Sequence, residues 1–355
     1  MFRSFAATGA LAMLVACGQP APQGSKPEQQ EPSEALTDDR PVLSIYSARN
    51  YESDKVLYAR FEEENGVRID VRESGAPELL DALKAEGADS PADVLLIADA
   101  GTLYQFQQAG FTQPVRSEAL EKAIPEHLRE PDGNWFGLAK RARVIVYDPQ
   151  LLPLEEVDTY ADLADDRLKG ELCVRAGTHI YNLSLLSELI SRIGSDGAEA
   201  WASGAASNFA RAPEGGDTAQ IEAVAAGKCA VALVHHYYWV RLATGTTEQR
   251  LTAAKTMVSF PDQDGAGTHI NITGAAVAST ADAPDLALRF IEFLATPEGQ
   301  GLLTSGTSEY PVVAGAPMPE GLELLANFKQ SDFPLSDLGA NLAEAQAIYD
   351  RAGWN

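Results

Sequence analysis

Four consecutive residues, His235-His236-Tyr237-Tyr238, set two imidazoles and two phenols directly behind the apolar run Cys229-Ala-Val-Ala-Leu-Val234. That run reads as a buried strand, and ligands in α/β proteins gather where strands end at their carboxyl side. Adjacent residues of a regular strand point to opposite faces, so His235 and His236 cannot both serve one metal. His236 is then a candidate for supporting a ligand. The Tyr-Tyr pair has an ordinary reading too, with one ring in the core and one at the surface. Asp217-Thr218 and Asn50 suit helix caps, because each stands where a helical pattern begins. A helix start at Asp217 would also offer free amide donors to an anion.

Three cysteines occur in the chain. Leu14-Val-Ala-Cys17 closes a short N-terminal segment with one basic residue, Arg3, and an apolar core. That pattern describes an export signal over 1–16, too short for a permanent membrane span. The four residues resemble a bacterial lipobox, in which Cys17 is acylated and becomes the mature N-terminus. Cys173 and Cys229 remain as a pair for an oxidising compartment, each in a short apolar strand-like run that can bring the two together.

The elements that must position these residues alternate. Strands are expected over 42–46, 67–71 and 92–97, with helices over 51–65 and 77–86 between them; Leu57 and Phe61 share one helical face and Gly66 ends that helix. The same alternation resumes after Tyr147, with helices over 181–193 and 218–226. Strand–helix alternation implies parallel βαβ units. Two long extended stretches, Gly137-Leu-Ala-Lys-Arg-Ala-Arg-Val-Ile-Val-Tyr147 and His269-Ile-Asn-Ile-Thr-Gly-Ala-Ala-Val277, suit crossings between two α/β lobes. The expected plan is a first lobe of 41–139 plus 271–310, a second of 140–270, and helices over 311–355 packed on both. Residues 17–40 are rich in Gln, Pro, Glu and Ser, too polar to bury a core, and form a tether. The remaining stretch of roughly 310 residues is long enough for two cores.

Fifty-one acidic residues against 27 basic ones give a net charge of −24. That balance argues against nucleic-acid binding, which needs basic neutralisation of phosphate. It permits a cationic ligand without requiring one. No nucleophile elbow, P-loop, HExxH or dinucleotide fingerprint is present, and Cys173 and Cys229 lie in buried-looking runs, so an enzyme is not expected.

Several short motifs in order complete the pattern: Tyr46-Ser-Ala-Arg-Asn-Tyr51, Ser90-Pro-Ala-Asp-Val-Leu95, Asn134-Trp-Phe-Gly137, Lys140-Arg-Ala-Arg-Val-Ile-Val-Tyr147, Gly216-Asp-Thr-Ala219, His236-Tyr-Tyr-Trp239 and Arg351-Ala-Gly-Trp354. Together they make the chain resemble the ferric-iron-binding periplasmic proteins of ABC importers, within the two-lobed type II periplasmic binding fold, from about Val42 to the C-terminus. The resemblance implies a mixed sheet flanked by helices in each lobe and Fe(III) held by Tyr51, Tyr181, Tyr237 and Tyr238. It implies an ABC permease with its ATPase as partners, and a monomer at the periplasmic or cell-surface face. Where that family carries a histidine, this chain has Asn50, so water or an anion such as carbonate is expected to complete the coordination. His179, two residues before Tyr181, is a weaker candidate ligand.

The chemistry is consistent. Fe(III) is hard and prefers charged oxygen donors, and a bound metal displaces the phenol proton. Four phenolates against a trivalent ion leave a net charge of about minus one. Arg49, Arg141 and Arg143 are positioned to offset it. Within the same fold, a polyamine, thiamine, phosphonate or divalent metal is the alternative cargo.

Overall fold

Val94–Ala98 (β3) is an almost wholly buried apolar run, and Val42–Ser47 (β1) is buried over most of its length, as suits parallel strands inside an α/β protein. A computed structural model describes residues 38–49 and 51–355. The export signal, Cys17, most of the tether and Asn50 lie outside the described residues. The other strands are Arg68–Glu73 (β2), Phe136–Tyr147 (β4), Leu172–Cys173 (β5), Val231–His235 (β6), Met257–Ser259 (β7), Ile270–Val277 (β8) and Tyr310–Pro311 (β9). Their order is β2-β1-β3-β8-β4-β6-β5, with β7 and β9 also pairing with β4.

β1 runs parallel to β2 and β3, as the βαβ pattern requires, whereas β8 is antiparallel to both β3 and β4. The strand β4 belongs to two sheets. Its first part, Phe136 to Ala142, pairs with β8, and its second, Arg143 to Tyr147, pairs antiparallel with β6. β4 thus carries the chain from one sheet into the other, while β8 pairs within the first. Val144 and Val146 face one hydrophobic core, while Ile145 and Tyr147 face a second, as strand alternation dictates. The first core extends through β1, β3 and β8 to Phe61 and Phe290. The second is built on Trp201, Tyr349 and Trp354.

Cys173 and Cys229 form a disulfide, joining the end of β5 to the approach to β6. Several expected boundaries move. The first helix is Asp54–Asn65, three residues later than expected, with Ser53 at its N-cap position. Asp54 is drawn into a buried ion pair with Arg49, 2.9 Å apart, and residues 51–53 turn to allow it. The helix expected over 181–193 runs from Ile180 to Ser207 and breaks at Gly194, whose φ of 74° only glycine adopts cheaply. Residues beyond 311 are not purely helical: β9 pairs with β4, and only Leu342–Ala352 is α-helix there, packed beside Trp354 on the second core.

Candidate metal centre

The four tyrosines come from three elements. Tyr51 stands in the turn before Asp54–Asn65. Tyr181 occupies the first turn of Ile180–Ser207, and Tyr237 and Tyr238 the first turn of the helix His236–Thr244, which leaves directly from β6. The hydroxyls of Tyr181 and Tyr237 are 3.3 Å apart. The rings of Tyr237 and Tyr238 lie 4.3 Å apart. The Arg241 guanidinium sits 4.9 Å from the Tyr51 ring, 4.7 Å from Tyr237 and 5.7 Å from Tyr238, so one cation faces three of the four phenols.

Arg141 projects from β4 into the same cluster. It donates to the Tyr181 hydroxyl at 3.2 Å and to Glu309 at 2.8 Å, and also bonds the Thr273 hydroxyl. Glu309 also accepts from Arg49 at 3.2 Å and Thr273 at 2.7 Å. Burial alone would raise the Glu309 carboxyl, but Arg141 and Arg49 outweigh it and hold the group down at about 2. Arg49 lies 5.2 Å from the Tyr51 ring. Beneath the phenols is therefore a buried carboxylate that pins two arginines in place.

Burial pushes the Tyr181 phenol up to about 12 despite the opposing Arg141 charge. It pushes Tyr237, the most enclosed of the four, well above the ordinary tyrosine range, with the neighbouring phenol of Tyr181 adding to the rise. Both hydroxyls are therefore protonated at neutral pH, and a cation must displace those protons to bind them.

The other candidates fall differently. Arg143 is committed elsewhere: it donates to Asp217 at 2.9 Å and Asn182 at 2.7 Å. Asp217 does not cap its helix, because Gly216 holds the cap position; its carboxylate pairs with Arg143 and Arg175 instead and accepts from the His235 amide. Both ring nitrogens of His236 are used, Nδ1 accepting from Ala142 N–H at 3.1 Å and Nε2 donating to Ser308 C=O at 3.0 Å. His236 thus braces β4 against the segment leading to β9. His179 caps the helix that begins at Ile180, its Nδ1 accepting from the Tyr181 amide at 3.2 Å. His235 packs edge-on to Tyr181 with ring centres 4.4 Å apart.

Arg241 and Glu309 were not picked out from the sequence. Arg241 carried a usable signal, standing one helical turn after Tyr237 on the same face. Glu309 carried none. Among the described residues, no group of three or more His, Cys, Asp or Glu is arranged to hold a metal. The donors gathered here are phenol oxygens, the set a hard trivalent cation prefers.

The model of the bacterial extracellular solute-binding protein family matches residues 47–301, and the chain belongs to that family. It is 43% identical over 346 residues to iron uptake protein A1 of Synechocystis, covering 96% of this chain and 93% of that one. A solved structure of the Trichodesmium protein FutA (IdiA), in complex with iron and citrate, superposes with a TM-score of 0.86 at 42% identity, covering 88% of this chain and all of that one. The major ferric iron-binding protein of Neisseria meningitidis is 25% identical over 286 residues, 78% of this chain and 84% of that one. The architecture is thus that of two-lobed periplasmic binding proteins of type II, and the relatives are iron-uptake and iron-binding proteins, not enzymes.

Proposed function

We propose that this protein is the substrate-binding component of an iron(III) ABC importer. It captures ferric iron through the tyrosinates of Tyr51, Tyr181, Tyr237 and Tyr238 and delivers it to a permease driven by an ATPase. The observation that carries the reading is the convergence of Tyr181 and Tyr237 hydroxyls at 3.3 Å, with Arg141 on one and Arg241 against three of the four rings. Unbound phenols gain little from such crowding, whereas four phenolates on one trivalent ion gain charge neutralisation. Iron uptake by the Synechocystis protein, iron in the Trichodesmium complex and ferric iron binding by the Neisseria protein support the same cargo.

Tyr51 belongs to the lobe of residues 41–139 plus 271–310, and the other three ligands to that of 140–270. Closure brings Tyr51 onto iron already held by three phenolates, so loading itself shifts the population toward the closed state. Arg141 and Arg241 offset the residual negative charge. A small anion such as carbonate, or water, completes the shell where no histidine is available. The chain is exported and tethered as a monomer by lipid on Cys17.

Native mass spectrometry of the mature protein after exposure to ferric citrate tests this directly. One iron per chain is expected, with occupancy reduced in the Tyr237→Phe variant. Unchanged mass after exposure would overturn the assignment.

A further inference from the structure

Asp217 is fully buried and opens the helix Asp217–Ala225, yet its carboxylate serves other segments of the chain. Its Oδ2 accepts from the Arg143 guanidinium at 2.9 Å and from the His235 amide at 2.8 Å. Its Oδ1 accepts from Arg175 at 3.1 Å. Arg143 and His235 are cross-strand partners on β4 and β6, so the sheet register sets those two donors side by side.

Each of these segments leads to a phenol. His235 holds the N-cap position of His236–Thr244, the helix that carries Tyr237 and Tyr238, and its side chain makes no capping bond there. The other branch of Arg143 donates to the Asn182 side-chain oxygen at 2.7 Å, and Asn182 follows Tyr181 in the first turn of its helix. The Asn182 amide donates in turn to the carbonyls of Arg175 and Ala176, both at 3.0 Å. The Arg175 guanidinium stands 5.1 Å from the Tyr181 ring. One carboxylate is therefore the common partner of two chain junctions whose phenol hydroxyls meet at 3.3 Å.

We infer that Asp217 is a positioning residue for iron capture: acting through Arg143, Arg175 and the His235 amide, it fixes the spacing of the Tyr181 and Tyr237 oxygens. The inference rests on the reading of those two tyrosines as iron ligands. Charge and geometry predict opposite effects when Asp217 is neutralised. Asparagine keeps the size but has one accepting oxygen where the carboxylate has two, so its amide nitrogen meets a donor and at least one of the three arms is released. By charge alone, the uncompensated Arg143 and Arg175 would favour phenolates and strengthen binding. Loss of positioning weakens it instead.

The test measures iron affinity of the mature protein by chelator competition, together with the visible phenolate-to-iron charge-transfer band. Asp217→Asn is compared with Glu188→Gln, a control at a second buried carboxylate whose partners are His269 and Arg192. Asp217→Asn is expected to weaken affinity about 10–100-fold and to move the band, while Glu188→Gln keeps both as in the natural protein. Should Asp217→Asn fail to fold, Asn182→Ala takes its place, cutting the arm toward Tyr181 and leaving the ion pairs of Asp217 whole. That variant is expected to weaken binding by roughly threefold or more. Affinity at or above the natural value in the deciding variant, an unmoved band in Asp217→Asn, or an equal loss in Glu188→Gln would overturn the inference and leave the iron reading standing. A natural protein that binds no iron, or binds it without the band, would overturn both.

Discussion

The Tyr181 and Tyr237 hydroxyls stand 3.3 Å apart although 56 residues separate them in the chain, and Arg141 reaches the first at 3.2 Å. One oxygen comes from the start of a long helix and the other from a helix leaving β6. The crossing strand β4 carries Arg141, whose guanidinium also lies 5.7 Å from the Tyr237 ring. Removing either hydroxyl deletes a charged oxygen donor without changing the packing. Tyr181→Phe and Tyr237→Phe are each expected to weaken iron binding by more than about 100-fold, with unchanged melting temperature, measured by competition against a calibrated chelator.

Arg241 acts through the phenols. It should stabilise their charged form without touching the metal, so Arg241→Met is expected to cost roughly 10–100-fold in affinity while leaving one iron per chain at saturation. Titration against the same competing chelator would reveal it; wild-type affinity would show that the cation is not felt.

Loading has a proton signature. Burial keeps Tyr181, raised to about 12, and the still higher Tyr237 protonated at neutral pH, so both protons must leave when iron binds. Affinity therefore rises with pH and falls in acid. Calorimetry at pH 7 in buffers of different ionisation enthalpy should find about two or more protons released per iron. A value near zero would mean that neutral phenols, or other groups, hold the ion.

Acid should also loosen the fold through Glu309. Its folded-state value of about 2 lies below the ordinary 4.5, so its stabilisation is complete above about pH 4.5 and is lost as pH falls through about 2. Glu309→Gln leaves Arg141 and Arg49 short of a buried counter-charge, an effect on the order of 3 kcal/mol. Urea unfolding at pH 7 and pH 3 should show a difference about 2 kcal/mol smaller for the variant than for the natural protein, the remainder coming from other buried carboxylates such as Glu188.

The Cys173–Cys229 disulfide closes a 56-residue separation, for which chain entropy predicts about 4 kcal/mol. The Cys173→Ser, Cys229→Ser double variant should melt several degrees lower yet bind iron as before, because neither sulfur is near a phenol oxygen by its place at the far end of β6.

Much of this architecture was readable in the chain. The buried runs of β1 and β3, the extended β4 and β8, and the Tyr-Tyr pair behind β6 are all local patterns whose meaning survives folding. The misread features depend on which partner claims a charged group, near in the chain or far. Asp54 begins its helix late because Arg49 claims its carboxylate, and Asp217 abandons its cap for Arg143 and Arg175. Glu309 meets Arg49 across 260 positions, a separation on which no periodicity or spacing bears. His236, expected to support a ligand rather than to be one, has both nitrogens taken by β4 and the segment before β9, contacts that its residue type does not announce.

The visible absorption spectrum of the iron-loaded protein probes the tyrosinate grip itself. Fe(III) bound by phenolate gives a charge-transfer band in the visible, so the loaded protein should be coloured, and the band should weaken in Tyr237→Phe and in Tyr238→Phe. A loaded protein without colour, or a band untouched by both substitutions, would contradict the account.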